Sequence, residues 1–192
     1  MKPRILAFAG SSRTGSFNRQ LAAVAAEHGR TMGADVTLVD LRDFPMPIYD
    51  GDDEATNGLP EAAIRFRALL GEHQAFLVAS PEHNGSVTAL LKNVLDWASR
   101  PADGLDGLTL FRGKTVGLVA ASPGPFGGVR SVAHLRGILS KMGAHVLADE
   151  VLVAGAQHAF DESGRLTNAL SEKLTVQLMT QLVASARRSD AP

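Results

Sequence analysis

Three unbroken apolar runs constrain this chain more than any other feature: "RILAFA" (4–9), "QAFLVAS" (74–80) and "TVGLVAAS" (115–122). A strand with one wet face alternates apolar and polar residues. Continuous runs fit strands covered on both faces, as in a parallel sheet flanked by helices. Two weaker strands are expected at "DVTLV" (35–39) and "HVLADEVLV" (145–153).

The segments between them carry helical spacing. In residues 16–34, Phe17, Leu21, Val24 and Ala25 share a face, Ser16 can cap the start and Gly33 can end the helix. Pro60 suits the first turn of a helix over 60–73. Residues 88–99 repeat apolar side chains at Leu91, Val94, Leu95 and Ala98, and two more helices are expected over about 128–142 and 168–188. A strand–helix unit repeated five times predicts an α/β fold: a flavodoxin-like three-layer sandwich with a five-stranded parallel sheet in the order 2-1-3-4-5. At 192 residues the chain is expected to form a single domain over 1–192, long enough to bury roughly 70% of its unfolded surface. Residues 41–58, rich in proline and acid, form the longest irregular segment and read as a flap or a solvated loop.

Composition excludes several functions. A net charge of −1 supplies no basic field for nucleic acid or an anionic membrane. The absence of cysteine removes disulfides, thiolate nucleophiles and iron–sulfur ligation. The histidines at 28, 73, 134, 145 and 158 lack metal-ligand spacing, and no hydrolase elbow or triad pattern is present. The N-terminal apolar stretch is too short for a signal peptide, and no run approaches a membrane span. A cytoplasmic location is therefore expected.

The chain leaves its first strand through "GSSRTGSFN" (10–18). At the carboxyl edge of a sheet, unpaired N–H groups at the next helix start favour an anion. Ser11, Ser12, Thr14 and Ser16 add hydroxyls, and Arg13 adds a planar fork suited to phosphate. Asn18 can tie down the loop or donate to the ligand. The P-loop pattern fails because Ser16-Phe17 stands where Lys-Ser/Thr is needed, and "GLTLFRGKT" (107–115) has the wrong glycine spacing. The dinucleotide G-x-G-x-x-G pattern is missing too, so a single terminal phosphate fits best. After the third strand comes "PEHNGSVTALLKNVLDWASR" (81–100), where Asn84-Gly85 is turn chemistry and Ser86 or Thr88 can cap the following helix. In the 2-1-3 order these two loops flank the switch-point crevice.

"GSSRTGSFNRQLA" and "PEHNGSVTALLKNVLDWASR" resemble the two hallmark motifs of the NADPH-dependent FMN reductase family, which includes quinone, azo-dye and chromate reductases. The family patterns are G-S-x-R-x-x-S-x-N and P-E-Y-N-x-S-x-P-x-x-L-K-N-x-x-D-W. The likeness spans nearly the whole chain, including "ASPGPFGGVRSVAHLRGIL" (121–139). It implies that Ser11, Arg13, Ser16, Phe17 and Asn18 hold the FMN phosphate. It also implies that Pro81, Glu82, His83, Asn84 and Gly85 surround the isoalloxazine, with Ser122 as a third contact. Two residues depart from the pattern: His83 replaces a tyrosine and Thr88 a proline. His83 can pack or stack beside the flavin, or protonate a reduced acceptor.

The resemblance implies an enzyme with no catalytic side chain of its own, since flavin N5 takes the hydride. NAD(P)H would be a transient co-substrate, and quinones, azo compounds, metal oxyanions or free flavin would be acceptors in a ping-pong cycle. The alternatives are a flavodoxin-like electron carrier, a flavin-binding module without turnover, or a relative that has lost FMN. Lys92 and Asp96 are spaced for an i,i+4 ion pair. Leu90 and Trp97 lie off the main apolar stripe, on a flank suited to another subunit. The family's dimers and tetramers use this region, so a homodimer or homotetramer is expected, with Arg130 and Glu150 as candidate contributors.

Overall fold

A computed structural model describes residues 2–102 and 104–188. Five strands, β1 (Arg4–Ala9), β2 (Asp35–Asp40), β3 (Ala75–Ala79), β4 (Thr115–Ala121) and β5 (His145–Val153), form one sheet in the order β2-β1-β3-β4-β5. Every neighbouring pair is parallel. This is the expected flavodoxin-like order. Every residue of β3 and β4 is buried, whereas the edge strands β2 and β5 are part exposed. The continuous apolar runs therefore mark the three inner strands, and the weaker patterns mark the edges.

Helices α1 (Phe17–Thr31) and α6 (Ala169–Arg188) cover one face, burying Leu21, Ala25, Leu178 and Leu182 against Ile5, Ala7 and Leu77. Helices α3 (Glu61–Glu72), α4 (Ala89–Ala98) and α5 (Val129–Lys141) cover the other, where Phe66, Leu91 and Leu135 meet Leu6, Phe8 and Leu118. β1 and β3 are neighbours, yet the helices that follow them lie on opposite faces, which opens a crevice at their carboxyl ends. Pro60 stands as the cap residue before α3, one position earlier than expected.

Residues 41–58 are not the irregular segment expected. They hold a short 3-10 turn (Leu41–Asp43) and a two-turn helix, α2 (Gly51–Asn57). The Asp50 side chain accepts from the Asp52 N–H, and Asp52, Asp53 and Glu54 place negative charge at the dipole's positive end. The segment is also fastened to α4. Trp97 Nε1 and Asn93 Nδ2 both donate to the Pro47 carbonyl at 2.8 Å, and the Tyr49 N–H donates to Asn93 Oδ1 at 2.8 Å. Tyr49 meets Trp97 edge-on, 5.0 Å between centroids, and Arg100 pairs with Glu54 at 2.8 Å. Trp97 is consequently fully buried within its own chain, so its side chain is not the subunit contact expected of it, while Leu90 on the same flank stays partly exposed. Arg130 and Glu150 are likewise engaged internally, Arg130 with Glu82 and Glu150 with Arg136, each at 2.8 Å.

Candidate functional site

Three loops leave the carboxyl ends of β1, β3 and β4 and meet over the crevice. The first begins at Gly10, whose N–H donates to the Ala79 carbonyl at 2.9 Å, extending the sheet by one bond. A Cβ at Gly10 would lie 2.7 Å from the Leu91 Cβ, so α4 reaches this position only against glycine. Thr88 Oγ1 donates to the Gly10 carbonyl at 2.7 Å and accepts from the Leu91 N–H at 3.1 Å. Thr88 thus caps α4 and joins the first loop to the second.

Beyond Gly10 the loop turns outward, and Ser16 caps α1 by accepting from the Arg19 N–H at 3.4 Å. Among the described residues, nothing pairs with the backbone N–H groups of Ser12, Thr14, Gly15 and Ser16, or with the hydroxyls of Ser12 and Thr14. The Arg13 guanidinium lies 5.6 Å above the Phe17 ring, and Phe17 stacks on Phe160 at 6.5 Å. Among the described residues it has no carboxylate partner. A cation and a set of free donors at a helix N-terminus make a site for an anion.

The second loop is rigid. His83 and Ser86 exchange two backbone hydrogen bonds of 3.0 Å, and Asn84 (φ 51°) and Gly85 (φ 75°) fill the left-handed positions of a type I′ turn. Ser131 Oγ donates to the Pro81 carbonyl at 2.8 Å and lies 2.5 Å from Ser80 Oγ. Glu82 points at the start of α5. Its carboxylate accepts from the Arg130 N–H at 3.0 Å, from Arg130 Nη1 at 2.8 Å and from the Ser131 N–H at 3.4 Å. Desolvation pushes its pKa upward, but the Arg130 side chain and the two backbone donors outweigh that and leave it lowered. Glu82 is therefore a fixed anion that positions this loop, not a proton donor.

The third loop starts at Ser122, and its position is fixed from α1. Asn18 Nδ2 donates to the Ala121 carbonyl at 2.7 Å, and the Ala121 N–H donates to Asn18 Oδ1 at 3.0 Å. Of the two roles open to Asn18, the structure therefore displays the tie.

Residues 3–159 match the family model described as NADPH-dependent FMN reductase. The chain belongs to that family. An NAD(P)H-dependent FMN reductase of Pseudomonas aeruginosa is 37% identical to it over 96% of both chains. An NAD(P)H:quinone oxidoreductase of Solanum tuberosum is 34% identical, covering 95% of this chain and 92% of its own length. Among solved structures, the flavoenzyme NAD(P)H:(acceptor) oxidoreductase of Paracoccus denitrificans shares the fold, with a TM-score of 0.79 and 24% identity over 97% of this chain and 98% of its own.

The loops of this FMN reductase family member enclose a cleft of about 370 Å³, within the usual range for small-ligand sites. Ser11, Arg13, Ser16, Phe17, Asn18, Pro81, Glu82, His83 and Ser122 all line it. Asn84 and Gly85 do not; they form the turn that presents His83. Ser12, expected as a hydroxyl donor, also lines the cleft, whereas Thr14 does not. The sequence does not single out Gly10, Ala89, Leu90, Ala121 or Pro123 for this lining, and it marks Thr88 only as a cap and a departure from the family pattern. Gly10, Ala121 and Pro123 adjoin residues that it does single out. Ala89 and Leu90 become visible only once α4 is docked. The cleft fits FMN: free donors and Arg13 at one end suit a phosphate, and Pro81, Leu90 and Pro123 offer apolar surface to a flat ring.

Proposed function

We propose that this protein is an FMN-dependent NAD(P)H oxidoreductase that reduces small-molecule acceptors such as quinones, azo compounds, metal oxyanions or free flavin. The observation that carries this reading is that the unpaired donors of Ser12 and Ser16 and the Arg13 guanidinium line the same cleft as the loop at 81–83. FMN supplies hydride acceptance and release at N5. The chain's own contribution is to bind and orient. The N–H groups of Ser12 and Ser16 receive the phosphate, with Ser11 and Arg13 beside them, while Phe17 supports Arg13 and Asn18 holds the loop to β4. Pro81, His83 and Ser122 frame the ring, Asn84 and Gly85 set the His83 position, and Glu82 anchors that frame to α5.

Of the residues lining the cleft, only Arg13, Glu82 and His83 can carry charge, and Glu82 is held as a carboxylate. His83, exposed at the rim, is the one side chain placed to give a proton to a reduced acceptor. A pyridine nucleotide and then the acceptor use the same open side of the cleft, in two successive half-reactions.

The test is an anaerobic absorbance spectrum of the FMN-loaded protein before and after NADPH, then NADH, then a quinone. Flavin bands that bleach and return support the reductase, whereas bound flavin that stays oxidised assigns an electron carrier. Arg13→Ala is expected to weaken FMN affinity about ten- to a hundredfold, the worth of a charge-assisted phosphate contact, with the fold intact. Unchanged affinity would refute the phosphate assignment.

A further inference from the structure

A second cleft, of about 520 Å³, lies between α1 and the edge strand β2. Ser16 lines both clefts, so the phosphate loop is a wall shared between them. The floor of the second cleft is apolar: Ala22, Ala23 and Leu38, the last 39% exposed. Its polar side is built by Arg19 of α1, Asp40 at the end of β2, and Arg42.

One carboxylate there serves two guanidinium groups. Asp40 Oδ2 lies 2.6 Å from Arg19 Nη2, 2.7 Å from Arg42 Nη2 and 2.9 Å from Arg42 Nε. Asp40 Oδ1 accepts the Arg42 N–H at 3.0 Å. The Arg42 hydrogen bond, working against desolvation, holds the Asp40 carboxyl below its usual range. Asp43 adds a second negative charge near Arg42, and Arg65, bonded to the Asp43 carbonyl, adds a third cation. These five groups keep one positive charge in excess, and both lining guanidinium groups retain N–H donors that Asp40 does not use.

We propose that this cleft takes the adenosine 2′-phosphate end of NADPH, with Arg19 and Arg42 on the phosphate and Ala23 and Leu38 against the purine. The inference rests on the reductase reading, which brings a reduced pyridine nucleotide to the neighbouring cleft. In doubly wound sheets that bind a dinucleotide, the ribose is read about 20 residues beyond the first loop, where a free carboxylate accepts from the 2′-hydroxyl or an arginine donates to the 2′-phosphate; by analogy the end of β2 is the corresponding place here. Here the carboxylate is covered by its own arginines, so the site offers donors. It is built for a phosphate.

The test uses the FMN-loaded protein and calorimetric titration with 2′,5′-ADP and with 5′-ADP. The wild type is expected to bind 2′,5′-ADP at least about tenfold more tightly, the least that one charge-assisted contact contributes. Arg42→Ala is expected to remove most of that preference while 5′-ADP affinity and FMN retention stay unchanged. Arg19→Gln gives a second, independent removal of donors. Equal affinities in the wild type would overturn the proposal, as would an unchanged preference in both variants, and the triad would then be a staple between α1 and β2. Failure of the reductase reading looks different: FMN is not retained, or it stays oxidised with both nucleotides.

Discussion

The tie between Asn18 and Ala121 is expected to hold both the fold and the cleft. Asn18 is 4% exposed, and its amide satisfies both backbone groups of the last β4 residue, itself 4% exposed. Asn18→Ala removes one acceptor and one donor together. Each orphaned buried group costs about 1–3 kcal/mol, and water entering from the adjacent cleft recovers part of it, so a net loss of about 3 kcal/mol is expected. Unfolding entropy of roughly 2.1 cal/mol/K per residue gives about 0.4 kcal/mol/K for a chain of 192 residues. The melting temperature should therefore fall by about 7 °C. Scanning calorimetry of the flavin-free protein measures this without interference from ligand.

Asn18→Asp sharpens the experiment. Its carboxylate can still accept from the Ala121 N–H but sets a lone pair against the Ala121 carbonyl, so it should not rescue stability at neutral pH. Burial and that carbonyl both favour the protonated form, raising the folded pKa above the unfolded value. The variant should accordingly recover relative to the wild type as pH falls through that raised pKa. An Asn18→Ala protein melting within about 1 °C of the wild type, or an Asp variant equal to it at pH 7, would refute the role assigned to this pair.

Two further predictions follow from the other loops. Gly10→Ala should destabilise by about 1–3 kcal/mol, because its Cβ would lie 2.7 Å from the Leu91 Cβ and push α4 off β1. FMN affinity should fall with it, and a variant with wild-type melting and flavin binding would show that the close approach is unimportant. Glu82→Gln tests the anion at α5. Its lowered pKa means the carboxylate's contribution is fully present above the usual carboxylate range and is lost as pH falls through the lowered value. Arg130 is half exposed, so solvent screens the pair and the gap between wild type and variant should be about 1 kcal/mol at pH 7. Melting curves from pH 7 down to about 3 should show that gap closing, and a gap independent of pH would remove the electrostatic role.

How legible each part was depended on the range of the interaction behind it. The inner strands, the Ser16 cap and the Asn84-Gly85 turn are written in adjacent residues, where burial on two faces, a side-chain cap and positive φ leave local marks. Helix α2 also carries local marks, in the Asp50 cap and its acidic first turn. It buries no residue, so it lacks the apolar period by which helices are recognised. Trp97 misled for the opposite reason: its position off the stripe suggested a partner, and the partner is Pro47 and Tyr49 of the same chain. The site divides along the same line. Arg13 and the donors beside it are read from one loop, but the roles of its neighbours are settled across 48 to 103 residues of sequence, by Glu82 with Arg130, Thr88 with Gly10 and Asn18 with Ala121. Thr88 makes the point sharply. In the sequence it is a departure from a family proline; in the fold its hydroxyl, which proline lacks, donates to the Gly10 carbonyl and locks the two halves of the cleft together. A substitution that weakens a motif match can thus strengthen the structure the motif serves, because pattern records residue identity and the cleft depends on which backbone groups find partners.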